Sequence, residues 1–206
     1  MSGPSGLGLD LHSAAARLGG YRWLEHRLFE LTGAWSARSA DPEVQLHLFE
    51  ASHRHGWHAQ LWADRLPVLD QVDAELLTVA PGFGAEALLD QLASVDAEPE
   101  TSPGGTEVRR LAALYRVVVP RLIATYSAHR ALANPATDGP TIRALTLVLR
   151  DETETGQAGE SLLEARIDRG ELADLAAATQ RGLERSIVDA APGLGIAPWP
   201  DRPTRA

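Results

Sequence analysis

The sequence predicts an all-α protein, and three observations carry that prediction. Its apolar residues are mostly Leu, Ala and Val, with aromatics at only 5%, a mixture that enters helices at low cost and does not favour sheet. Apolar positions recur at three-, four- and seven-residue spacings over long windows, the period of helices with one buried face. Capping residues and prolines punctuate those windows, as at Asp41-Pro42 and at Asp138 ahead of Pro140.

The first helix is predicted from about Leu11 to Trp35. Leu11, Leu18, Glu25 and Thr32 recur every seven residues beside a companion row of Ala14, Tyr21, Leu28 and Trp35, which is the seam of a bundle helix. Glu25 breaks the apolar rule in the middle of that seam. A second helix starts at Pro42 and continues to about Leu66, where Pro67 stops it. Its inward stripe is read as Leu46, Phe49, Glu50, His53, Trp57 and Leu61, again with polar groups at mid-helix. The turn between the two helices is short, so they are expected to be antiparallel neighbours.

Residues 67–105 read as a crossover, with short helices near Asp73–Val79 and Ala85–Val95 and then the loop AEPETSPGG. A third long helix is predicted over Thr106–Leu132, with Leu111, Tyr115, Val118, Leu122, Tyr126 and His129 near one face. Pro120 lies inside it and should kink it. After NPATDGP, a fourth helix carries Ile142, Leu145, Leu149, Glu152, Thr155 or Gly156, Gly159 and Leu163 on its inner stripe. A fifth helix covers about Glu171–Val188. Residues 11–190 thus form one helical domain, between a flexible N-terminus at 1–10 and a Pro/Gly-rich tail at 191–206.

Composition removes several function classes. A net charge of −9 opposes the phosphate neutralisation that drives sequence-independent nucleic-acid binding. The absence of cysteine excludes disulfides, Fe–S clusters, cysteine-zinc sites and thiol nucleophiles. All 19 basic residues are Arg, so P-loop and Schiff-base lysines are excluded too. The start, MSGPSGLGLD, lacks the features of a secretory signal, and LAALYRVVVPRLIATY is interrupted by Arg116, Pro120 and Arg121, so no membrane span is expected. A cytoplasmic location is the expectation.

Three seams from three helices carry carboxylates at core positions: Glu25, Glu50 and Glu152. Buried carboxylates repel one another unless a cation sits among them. His53 follows Glu50 by one turn, so both can reach one point. His55 and His58 are rotated about 200° and 140° from His53 on a helix, and are assigned to solvent or a neighbouring subunit. His129 is read as a core histidine, and Asp151 as a solvated or capping carboxylate.

The inward Glu25, the short turn and the run Glu50-Ala51-Ser52-His53 resemble the first half of a ferritin-like di-iron carboxylate protein. That resemblance implies an up-down-down-up four-helix bundle with a long crossover between helices 2 and 3, plus an additional C-terminal helix. It departs from the family pattern twice: Thr155 stands where the second histidine belongs, and the third helix offers Arg121 rather than a carboxylate at the matching height. The resemblance therefore implies one iron, or manganese, rather than two, held by Glu25, Glu50, His53 and Glu152. Tyr115, Arg121, Tyr126, Trp57 and Thr155 would surround it. The activity implied is that of an oxidase or oxygenase on a small organic molecule. The alternative is a catalytically silent binding or scaffold protein, without a cofactor, in which Arg22, Arg54, Arg121 or Arg143 balances a metal-free polar core. In either case a homodimer is expected.

Overall fold

The computed structural model describes residues 9–68, 72–97, 102–167 and 170–190. Among them every regular element is helical. Helix α1 (Leu11–Arg38) is capped by Asp10, whose carboxylate accepts from the His12 and Ser13 amides, and α2 (Pro42–Ala63) by Asp41, which accepts from Glu43 and Val44. The two form a tight antiparallel hairpin. The crossover contains α3 (Ala74–Leu77) and α4 (Phe83–Ser94), followed by a 3-10 turn. Helices α5 (Gly105–Ala112) and α6 (Val119–Leu132) are collinear segments joined by a π-helical stretch, Ala113–Val118. Helices α7 (Gly139–Glu164) and α8 (Gly170–Ala190) complete the chain. Of the N-terminus expected to be flexible over residues 1–10, Leu9 and Asp10 are described and Asp10 caps α1; residues 1–8 and the tail at 191–206 lie outside the described residues.

Pairings between helices fix their directions. Tyr126 of α6 meets Glu25 of α1, and Arg110 of α5 reaches the carbonyl of Trp35, so α1 runs against α5–α6. Arg166, just beyond α7, binds Asp41 at the start of α2 at 2.6 Å, while Arg54 meets Thr155 one helical stretch further on. Helix α2 therefore runs against α7 and parallel to α5–α6.

Packing of α1 on α2 is close because the contact uses small residues. Ser52 Oγ donates to the Phe29 carbonyl at 2.9 Å and sits 3.0 Å from where a Cβ on Gly33 would stand. The core then fills with Leu18, Leu24, Leu28, Trp35, Val44, Leu48, Trp62, Leu111, Leu122, Leu145 and Leu163.

Four expectations are corrected here. The buried face of α2 is Val44, Leu48, Ala51, Ser52, His55, His58, Ala59 and Trp62, the side opposite the predicted stripe; Leu46, Phe49, Glu50, His53 and Trp57 are exposed. Leu11 is exposed as well. Pro120 produces no simple kink: its missing N–H is accommodated by the π stretch before it and by a place in the first turn of α6. Asp138 does not cap α7 with its side chain, and instead accepts from the Asn134 amide at 2.8 Å.

Candidate metal centre

At the middle of the bundle, Glu25 of α1, His55 and His58 of α2 and Glu152 of α7 converge. One ligand-type atom from each lies within 4.8 Å of all the others, and all four residues are buried. Both imidazoles turn Nδ1 inward. His55 Nδ1 is 2.7 Å from Glu25 Oε2 and 3.6 Å from Glu152 Oε1. His58 Nδ1 is 3.2 Å from Glu152 Oε1 and 3.6 Å from Glu25 Oε2, yet makes a hydrogen bond to neither.

A surrounding set of groups orients these four. Tyr126 OH donates to Glu25 Oε1 at 2.5 Å, which leaves Oε2 facing the histidines. His58 Nε2 lies 3.2 Å from Asp151 Oδ2, an arrangement that keeps a proton on Nε2 and makes Nδ1 the nitrogen open to a cation once the imidazole is neutral. Arg54 donates to the Thr155 hydroxyl at 2.7 Å and to the Asp151 carbonyl at 3.3 Å. On one side the site is closed by aromatic rings: Tyr126 stands edge-on to Tyr21 at 4.9 Å, and Trp62 lies within 5.4 Å of both.

Charge coupling in this dry space is strong. Burial pushes the Glu25 carboxyl up, but the His58 charge and the hydrogen bond from His55 outweigh it and bring it down to about 2. Burial pushes His58 down, but Glu25 and Glu152 raise it to about 10. His55 is raised for the same reason, with burial opposing and Glu152 and Glu25 prevailing. Without a metal, the raised His58, with His55 raised beside it, holds positive charge against the buried carboxylates. A divalent cation bound by neutral imidazoles would take the place of that positive charge, so metal binding and proton release are linked here.

The donor set fits a cation on two grounds. Two imidazoles and two carboxylates are an ordinary shell for iron, manganese or zinc. The buried, unbonded Nδ1 of His58 is the kind of orphan that a metal would satisfy.

Of the residues singled out from the sequence, Glu25 and Glu152 belong to this group and Tyr126 touches it. Glu50 and His53 do not: both are exposed on the outer face of α2. Trp57 is also exposed there and lines no inner cavity. Arg121 does not meet Glu50; it donates to the Val117 carbonyl of its own helix. Thr155 is Arg54's acceptor, and Tyr115 is buried with its hydroxyl unbonded. His55 and His58, assigned to the outside, are the residues that complete the group. A signal for them existed: they share a face with Val44, Leu48, Ala51, Ala59 and Trp62.

No family model matches the chain, and neither a curated protein nor a solved structure matches it. Among the described residues no helix is long and apolar enough to cross a membrane.

Proposed function

We propose that this protein is a ferritin-like metalloprotein holding one transition-metal ion, iron in this reading, and acting as an oxidase or oxygenase on a small molecule. The helix directions support the bundle: α1, α2, α5–α6 and α7 alternate up, down, down, up, with the crossover between the second and third. The observation that carries the metal is the convergence of Glu25, His55, His58 and Glu152 within 4.8 Å, together with the unbonded Nδ1 of His58. Bound iron would supply one-electron redox chemistry. The chain's own contributions are structural and electrostatic. Asp151 holds the His58 tautomer, Tyr126 holds Glu25, and the rings of Tyr21, Trp62 and Tyr126 keep water from one side. The cavities lined by Asp41 and Arg166, by Arg65 and Arg143, and by Arg130 and Arg150 do not include any of the four residues.

A metal-free polar core in a scaffold protein is the second reading, favoured by the positive charge that the histidines hold against the buried carboxylates, as described above.

Metal analysis of protein from iron- and manganese-supplemented cells separates the two. Stoichiometric metal is expected in the wild type, in Glu50→Ala and in His53→Ala, and is expected to be lost in His58→Ala and Glu152→Ala. A metal-free protein whose melting temperature ignores added Fe(II) and Mn(II) would overturn the metal reading. Oxygen consumption by the loaded protein then tests the oxidase assignment.

A further inference from the structure

The outer face of α2 carries an apolar stripe that no other element covers among the described residues. Leu46, Phe49, His53 and Trp57 follow one another at helical spacing on one side of the helix. Leu46 is 59% exposed, Phe49 62% and Trp57 44%. Phe29 of α1, 41% exposed, extends the stripe sideways by lying over Gly56, where its ring stands 3.1 Å from the position of an absent Cβ. A contiguous apolar face of this kind, rimmed by charged residues, marks an interaction surface.

We infer that this face is the contact between two copies of the chain, packed as an antiparallel pair of α2 helices about a two-fold axis. The order of residues along the stripe carries the choice of occupant, because it is complementary to its own reverse. An axis level with Ala51 and Ser52 sets Leu46 against Trp57 of the partner subunit, and Glu50 against His53 of the partner subunit. The same two pairs recur on the other side of the axis, as a two-fold interface requires. In that register the two end positions are apolar on both copies and the two middle positions pair a carboxylate with an imidazole, while Phe49 lies level with Arg54 of the partner subunit, beside these pairs. Reversing either charge, or running the helices parallel, would lose that match. The stripe from Leu46 to Trp57 runs about 18 Å along the helix, and with α1 beside it at a spacing of about 9 Å it forms the apolar centre of such a contact, smaller than the ~800 Å² per partner of a standard interface.

The test is sedimentation and light scattering of the full chain. The wild type is expected at twice the monomer mass, and Phe49→Glu and Trp57→Glu at the monomer mass. Leu76→Glu, an exposed apolar residue on the crossover, is the control and should remain dimeric. These positions are outside the core, so circular dichroism and metal content should be unchanged in all three. The charge pairing has its own arm: Glu50→His and His53→Glu each weaken the dimer, and the double exchange restores it. Because the chain has no cysteine, a Glu50→Cys/His53→Cys variant should give an oxidative cross-link joining position 50 to position 53 of the other copy. A wild type that stays monomeric overturns the inference and leaves the stripe to a different protein. A dimer indifferent to Phe49→Glu and Trp57→Glu overturns it equally, since another surface must then hold the copies together.

Discussion

His58 and Asp151 stand 3.2 Å apart, with Nε2 of the imidazole facing Oδ2 of the carboxylate. The contact is at the rim of the site, where Asp151 remains 24% exposed while the imidazole is buried. It sets which nitrogen of His58 carries a proton, and so which one is left to bind a cation. Carboxylates placed behind metal-bound histidines tune affinity rather than decide it.

Asp151→Asn is therefore expected to weaken metal affinity by about 10- to 100-fold, the usual effect of losing such a partner, without emptying the site at saturating metal. Titration with Mn(II) or Fe(II) under anaerobic conditions measures this. An unchanged affinity would mean that His58 is oriented by packing alone.

Tyr126 donates the hydrogen bond that occupies the second oxygen of Glu25. Tyr126→Phe removes that donor with almost no change in shape and leaves a buried carboxylate oxygen without it. A loss of about 1–3 kcal/mol is expected, read as a lower midpoint in urea with an unchanged slope. Stability equal to wild type would show that Glu25 finds another donor.

The metal-free protein should be most stable near pH 6.5. His58 is raised to about 10 from 6.5, so the stabilisation it brings is complete below 6.5 and is lost as pH rises towards 10. On the acid side, burial lowers His129 to about 4, and that group costs stability as pH falls from 6.5 through 4. Glu25, depressed from 4.5 to about 2, gives stabilisation that is full above 4.5 and lost as pH falls through 2. Melting curves taken in chelator across this range test the bell shape. At neutral pH, metal uptake should release the proton that His58 holds, because bound imidazoles must be neutral; calorimetry in buffers of different ionisation enthalpy counts the protons released.

A Cβ on Gly159 would overlap the ring of Tyr115. Gly159→Ala must push α7 away from the π stretch and is expected to cost about 1–3 kcal/mol, the range for overpacking a filled core. Gly182→Ala, on α8 with open space around it, is the comparison and should be neutral or slightly stabilising. A Gly159→Ala protein that melts with the wild type would show that Tyr115 turns aside freely.

Much of the scaffold was legible because its punctuation is local. Asp41 with Pro42 starts α2 by chemistry that acts within four residues, and the α1 seam of Leu18, Tyr21, Leu28 and Trp35 needs only helical periodicity. Glu25 and Glu152 were legible for a related reason, since each interrupts an apolar row. The face of α2 was not. That helix is apolar on two opposite sides, and around its middle the larger residues, Leu46, Phe49 and Trp57, are on the outside. The inner side uses Ala51, Ser52 and Ala59, whose smallness lets α1 approach. Ranking the two sides by hydrophobic size selects the wrong one, and His55 and His58 go with the side rejected. The π stretch was likewise hidden, because Pro120 announces a disturbance without saying which form it takes.

That stretch, Ala113–Val118, stores one residue more than a regular helix of equal length would need. It acts as a fixed offset of about 100° between the side chains before it and those after it. Glu107, which accepts from the Ala40 amide at 3.2 Å, Arg110, which reaches the Trp35 carbonyl, and Tyr126, which reaches Glu25, are all placed by that offset. Shortening the segment by a single residue would let the helix run regularly and would set its two halves in conflict, each demanding a different rotation about one shared axis.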